Sequence, residues 1–243
     1  MLQSTFEILS NRNLAPAVYE LKLRGDTSAV TAPGQFAQIR LPGFFLRRPI
    51  SVCDADGGAL TLIYKAVGRG TEAMSALAPG GKLDLLTGLG NGYDLSLCGD
   101  APLLIGGGAG VPPMYLLAKR LIAGGRRVTV ILGFNTASEI FYEDEFRALG
   151  ARVTVATADG SYGAKGFVTD AMEGIDHTHV CACGPEPMLR AVYGRSAASG
   201  QFSFEERMGC GFGACMGCSC RTKYGSKRIC VDGPVLKKEE IVW

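Results

Sequence analysis

The sequence predicts a multidomain β plus α/β protein: an antiparallel β-barrel, then a parallel α/β domain, then a small cysteine-bearing module at the C-terminus. Three observations carry that expectation. Up to about residue 96, short apolar segments alternate with tight-turn residues, the pattern of an antiparallel barrel or sandwich. From Pro102 the pattern changes to apolar runs separated by helical stretches, as in a parallel sheet with crossover helices. Beyond about Gln201 the periodicity fades and cysteines crowd together.

In the first region strands are expected at 6–9, 18–23, 35–40, 50–53, 60–67 and 82–86. Ala32-Pro33-Gly34, Asp56-Gly57-Gly58 and Pro79-Gly80-Gly81 supply turns between them. A single helix is expected at 71–77. In the second region strands at 103–105, 128–132, 153–156 and 179–183 alternate with helices at 112–123, 138–149, 168–172 and 186–193. The domains are therefore drawn at 1–98, 99–200 and 201–243, with no internal repeat and no low-complexity tract.

Composition narrows the function. A hydrophobic fraction of 47% supplies real cores, and 34 glycines, many in short clusters, point to tight turns and ligand loops. A net charge of +2 from 25 basic and 23 acidic side chains, with no dense basic run, disfavours nucleic acid. The N-terminal residues show no export signal, and the most apolar stretch, 101–117, is broken by glycines and prolines and does not suit a membrane span. A cytoplasmic protein without a membrane partner is expected.

Cys210, Cys215, Cys218 and Cys230 are spaced C-x4-C-x2-C-x11-C, and the first three follow the plant-type [2Fe–2S] spacing. Gly211, Gly213 and Gly217 let the backbone fold tightly and point amides at sulfur. A structural zinc also suits four thiolates, but it usually takes two well separated C-x2-C pairs. Disulfides fit poorly with nine cysteines, an odd number. Cys220, two residues after Cys218, points to the opposite face if that segment is a strand, and Cys53, Cys98 and Cys181 lie in or beside apolar stretches as small hydrophobes.

Two barrel motifs suit a flavin. Arg48 offers a planar charged fork for a pyrophosphate, Pro49 stiffens the backbone, and Ser51 offers a hydroxyl for the flavin ring. Gly70 and Thr71 stand where a helix begins and amides are free for an anion, although Thr71 also serves as an ordinary helix cap. In the second domain Gly107, Gly108 and Gly110 form a glycine turn between a strand and a helix, a phosphate-binding arrangement that lacks the full G-x-G-x-x-G pattern. Cys183 closes the last strand, at the carboxyl edge where a nicotinamide ring would bind, or else is simply buried. Residues 133–139 hold no Arg or Lys for a 2′-phosphate, which favours NAD over NADP. His177 and His179 stand without a triad or metal pattern, and the 237–240 charge run suits a solvated face.

In this order, the Arg-Pro-x-Ser barrel, the Gly-Gly-Gly-x-Gly-x-Pro-Pro loop and the four-cysteine segment resemble the ferredoxin–NADP reductase superfamily. Within it the chain is most similar to the electron-transfer subunits of NAD-dependent dihydroorotate dehydrogenase, with residues 204–215 and 231–235 the most specific match. The resemblance implies FAD held by Arg48, Pro49, Ile50, Ser51, Ile63, Tyr64, Lys65, Gly70 and Thr71, with a [2Fe–2S] cluster on Cys210, Cys215, Cys218 and Cys230. It implies NAD beside Gly107, Gly108, Gly110 and Cys183. It also implies a partner, an FMN-containing catalytic subunit in a heterotetramer of two copies each, whose electrons from dihydroorotate pass through the cluster and FAD to NAD+ in de novo pyrimidine biosynthesis. Two other roles stay open: a reductase component feeding a different oxidoreductase or oxygenase, and a redox-sensing metal-binding module.

Overall fold

The computed structural model describes residues 1–243. Strands β1 (Leu2–Ala15), β2 (Val18–Arg24), β3 (Phe36–Arg40), β4 (Arg48–Asp56), β5 (Ala59–Lys65) and β6 (Lys82–Leu89) close into an antiparallel barrel of order β1-β2-β5-β4-β3-β6. Period-two alternation turns Leu21, Leu23, Ile39, Leu60, Leu62 and Leu85 inward, where none retains any exposure. Helix α1 (Arg69–Ser75) covers part of the barrel between β5 and β6, two residues earlier than the expected 71–77. β1 runs well past the expected 6–9. Its first half pairs with β6 and its second with β2 through two register shifts, so backbone partners hold Asn11, Arg12 and Asn13 in a strand that their low β-propensity conceals.

The second half is a seven-stranded sheet. Strands β7 (Pro102–Gly107), β8 (Thr129–Phe134), β9 (Arg152–Thr157), β10 (Ala164–Lys165), β11 (His179–Cys183), β12 (Ser199–Ser203) and β15 (Val235–Lys237) take the order β10-β9-β8-β7-β11-β12-β15. All pair in parallel except β15, which runs antiparallel to β12. Helices α2 (Val111–Ala123), α3 (Glu143–Ala148) and α4 (Glu186–Arg195) cover it. Between β12 and β15 the chain leaves the sheet, forms the hairpin β13 (Ser219–Thr222) and β14 (Gly225–Arg228), and returns.

Three expectations about elements need correction. Residues 168–172 form turns rather than a helix: Gly166 and Gly174, both at positive φ, leave too few residues to nucleate one. The expected 138–149 helix is split, because Ile140 is extended and Tyr142 sits at φ 68°, leaving only a short 3₁₀ turn and α3. Strand β12, spanning the expected 200/201 boundary, went unpredicted because Ser199, Gly200, Gln201 and Ser203 mix small and polar residues; its place between β11 and β15 makes it a strand.

Barrel and sheet are joined by a polar clasp. Glu20, 1% exposed, accepts from Arg12 Nε at 2.6 Å and from the Tyr142 hydroxyl at 2.9 Å, with Lys22 Nζ at 3.5 Å. Burial pushes the Glu20 carboxyl up, but the Arg12 and Tyr142 hydrogen bonds and the Lys22 and Arg12 charges together hold it below its ordinary value. Lys119 on α2 bridges Asp54 and Asp56 of β4 at 3.0 and 3.2 Å. No helix is long and apolar enough to cross a membrane.

Candidate functional site

On the barrel, β4 carries Arg48, Pro49, Ile50 and Ser51 at its start, and the structure brings Arg48 against the opening of α1. A methyl group added at Gly70 would lie 1.9 Å from Arg48 Nε, so the missing side chain of Gly70 is the slot that the guanidinium fills. Arg48 also lies over the Phe44 ring at 4.7 Å and donates to the Leu46 carbonyl. Gly68 caps α1, and Thr71 accepts from the Val67 and Gly68 amides at 3.0 and 3.3 Å, which leaves the first helical amides beside Arg48 for an anion. A charged fork and free amides converging on one point fit a pyrophosphate.

Ile63, Tyr64 and Lys65 on β5 line a narrow crevice between barrel and sheet, together with Pro16, Gly108 and Phe134. The Tyr64 ring packs in the barrel core. It stacks on Tyr19 with centroids 5.6 Å apart, and burial raises its pKa to about 12. The Tyr64 hydroxyl donates to Asn11 Oδ1 at 3.0 Å, and Asn11 in turn donates to the Met74 and Leu77 carbonyls at the end of α1. Tyr64 thus supports the helix whose start faces Arg48.

The sheet's carboxyl edge holds a groove of about 450 Å³ at the point where strand order reverses between β7 and β11, the usual ligand crevice of an open α/β sheet. Gly107 and Gly108 line it, and Gly110 backs it: a Cβ on Gly110 would lie 2.1 Å from the Cys183 carbonyl. A Cβ on Gly107 would lie 2.4 Å from Met188 Sδ, so the glycine turn is cut to pass under α4. Burial pushes the Cys183 thiol up to about 12, which keeps it neutral. Met188, in the first turn of α4 after β11, also lines the groove, and so do Phe167 and Thr169, which escaped sequence reasoning. The available signal was their position just after β10. Glu139 at the groove accepts from Asn135 N and Nδ2 at 3.2 and 2.9 Å, which places an acidic group in its lining.

Residues 204–218 hold no regular structure, and several of the loop's backbone amides point at sulfur. Ala214 N and Cys215 N donate to Cys210 Sγ at 3.2 and 3.4 Å, Cys210 N to Cys215 Sγ at 3.5 Å, and Cys230 N to Cys218 Sγ at 3.4 Å. Burial opposes ionisation of Cys210, yet the amides of Cys215, Phe212 and Ala214 overcome it and lower its pKa to about 6. Burial followed by the Cys218 thiol raises Cys230 to about 12. Cys218 and Cys230 are buried, Cys210 is half-buried and Cys215 is exposed. Arg228 ties the loop down, donating to the Gly213 carbonyl at 3.0 Å and reaching Asp232. Cys220 pairs with Lys227 in the hairpin and shares no hydrogen bond with these four.

Gln38 on β3 is fully buried, and neither its Nε2 nor its Oε1 has a hydrogen-bond partner. Each such buried group costs roughly 1–3 kcal/mol when left unpaired. A Cβ on Gly211 would lie 2.1 Å from Gln38 Nε2. Four thiols, amides aimed at sulfur and an unpaired amide behind the loop fit an iron–sulfur group at this place.

A closed flavin-type barrel, a nucleotide groove and a thiolate loop in one chain define an electron-transferring oxidoreductase. Residues 104–193 match the oxidoreductase NAD-binding domain, and residues 205–242 match the iron–sulfur cluster binding domain of dihydroorotate dehydrogenase B. The dihydroorotate dehydrogenase B (NAD(+)) electron transfer subunit of Bacillus pumilus is 43% identical, over 99% of this chain and 98% of its own length. That of Bacillus mycoides is 42% identical, over 100% and 99%. Among solved structures, NADH-dependent reduced ferredoxin–NADP oxidoreductase superposes with a TM-score of 0.89 at 30% identity, over 99% of this chain and 90% of the other. The Amycolatopsis cytochrome P450 reductase GcoB, at 22% identity and TM-score 0.70, covers 81% and 67% and shares the fold. The chain belongs to the family of dihydroorotate dehydrogenase B electron transfer subunits.

Proposed function

We propose that this chain carries electrons between a dihydroorotate-oxidising catalytic subunit and NAD+ in de novo pyrimidine biosynthesis, as the electron-transfer subunit of an NAD-dependent dihydroorotate dehydrogenase. The single observation behind this reading is the family match over the whole chain, cysteine loop included. In this reading residues 1–98 bind FAD, 99–200 bind NAD and 201–243 hold the [2Fe–2S] cluster. Arg48 and the amides at Gly70 and Thr71 hold the flavin pyrophosphate, while Pro49, Ile50 and Ser51 and the backbone of Ile63, Tyr64 and Lys65 seat its ring. Gly107, Gly108 and Gly110 cradle the nicotinamide nucleotide, Cys183 stands at its ring, and Glu139 excludes a 2′-phosphate. Cys210, Cys215, Cys218 and Cys230 ligate iron. A bound flavin supplies the exchange between the hydride pair of a nicotinamide and the single electrons that an iron–sulfur centre accepts.

The partner is an FMN-containing subunit, two copies of each chain forming a cytoplasmic heterotetramer. Phe212 and Met216, 48% and 57% exposed beside the exposed Cys215, mark the face it covers. The test is an anaerobic preparation of this chain with and without that subunit. Flavin and [2Fe–2S] absorption bleached by NADH but not by NADPH, and co-purification with an FMN protein that oxidises dihydroorotate, are the expected results. Zinc at the thiolates, or equal bleaching by NADPH, overturns the assignment.

A further inference from the structure

The barrel and sheet bury three glutamines. Gln35 Oε1 accepts from the Thr31 and Ala32 amides at 2.9 and 3.1 Å, and its Nε2 donates to the Gly90 carbonyl at 3.0 Å. Gln201 Oε1 accepts from Asp94 N at 2.7 Å, and its Nε2 donates to the Asp94 carbonyl at 3.0 Å. Gln38 alone is wholly enclosed with both ends of its amide unpaired. Buried amides are paired as a rule, so an exception of this kind points to an absent partner.

The register shows where that partner lies. Gln38 stands directly opposite Pro49 on β4, and Phe36 opposite Ser51. Directly paired residues share a face of the sheet, so the Gln38 amide emerges on the same side of the barrel wall as Pro49 and Ser51. Pro49 has no N–H to offer it. On that same side Gly211 packs on the amide: it follows Cys210, sits at φ 78° and has no side chain to fill the space that Gln38 Nε2 occupies. The amide thus lies beside the flavin motif and is pressed on the cysteine loop. Thiolate and sulfide only accept hydrogen bonds here, and an amide NH2 donates two.

We propose that the Gln38 side chain donates a hydrogen bond to sulfur of the iron–sulfur group held by the cysteine loop, and so raises its reduction potential. This rests on the assignment of a [2Fe–2S] cluster to that loop. Hydrogen bonds to cluster sulfur stabilise the more negative reduced form, so their loss lowers the potential. In this scheme Gln38 ligates no metal: it touches the cluster through sulfur and tunes its potential from the barrel side.

The test compares the native chain with Gln38→Met, which keeps the length and removes the donor. With iron and sulfide content intact, the variant's cluster is expected to titrate at lower potential, by about a tenfold change in oxidised-to-reduced ratio, ~59 mV for one electron. An unchanged cluster potential, or a shift confined to the flavin, overturns the proposal. Native protein labelled with amide-¹⁵N glutamine and reduced gives an independent measurement that needs no variant. A label-dependent nitrogen coupling to the cluster in pulsed EPR is expected, and its absence overturns the proposal. Native protein that holds no iron and sulfide at all refutes the cluster assignment itself, a separate result.

Discussion

The barrel and the cysteine module stand on different physical foundations. The barrel closes on itself, leaves no free sheet edge and buries a cluster of 16 residues led by Phe6, Leu21, Leu60 and Leu62. Between residues 204 and 232 the buried side chains are Cys218, Thr222, Ile229 and Cys230, and two of these four are candidate iron ligands. The barrel has a large hydrocarbon core to hold its fold, whereas the module has few buried side chains of its own and packs them into the core under the sheet. A single chain thus joins a well-buried scaffold to a sparsely buried one.

The most forceful way to break that contrast is Cys218→Ser. We expect loss of iron and of cluster absorption, rapid proteolysis within 204–233 and abolished electron delivery from the catalytic subunit to the flavin. Flavin content and its reduction by NADH should persist. A loss of flavin together with iron, followed in one absorption spectrum, would show that the two regions fold as one.

The reciprocal change is Leu62→Ala. Removing a fully buried leucine from the barrel should cost about 2–5 kcal/mol, seen as a lower melting temperature by calorimetry. Iron per folded molecule should stay constant. A variant that loses iron before it loses secondary structure would reverse the proposed hierarchy.

A smaller effect concerns the clasp between barrel and sheet. Because the folded Glu20 carboxyl titrates below its unfolded value of about 4.3, its stabilisation is complete above that pH and fades as pH falls through the lower folded value. Glu20→Gln should cost about 1–3 kcal/mol in urea unfolding at pH 7 and flatten the loss of stability on acidification. A variant as stable as the parent at neutral pH would remove Glu20 from the account of how the halves hold together.

Much of this architecture was legible because each signal was local. Alternation along 18–23 and 60–67 marked barrel strands, and the sulfur loop announced itself through spacing and glycine. What escaped was set by distant partners. Ser199, Gly200 and Gln201 form a central strand only because β11 and β15 flank them. Gln38 looks like any polar strand residue until the loop folds over it, and the link from the Tyr64 hydroxyl through Asn11 to the end of α1 joins residues far apart in the chain. The clasp at Glu20 joins positions 122 apart in the chain, beyond the reach of any pattern.

The chain leaves the sheet at Ser203 and rejoins it at Val235, and these two residues are direct partners across β12 and β15. The whole metal-binding excursion is therefore a pouch with its mouth stitched shut by backbone hydrogen bonds. Emptying the pouch slackens its wall but leaves the seam intact, so both ends stay in register while the contents are absent. Such a purse can be refilled in place, with no need to unravel the garment.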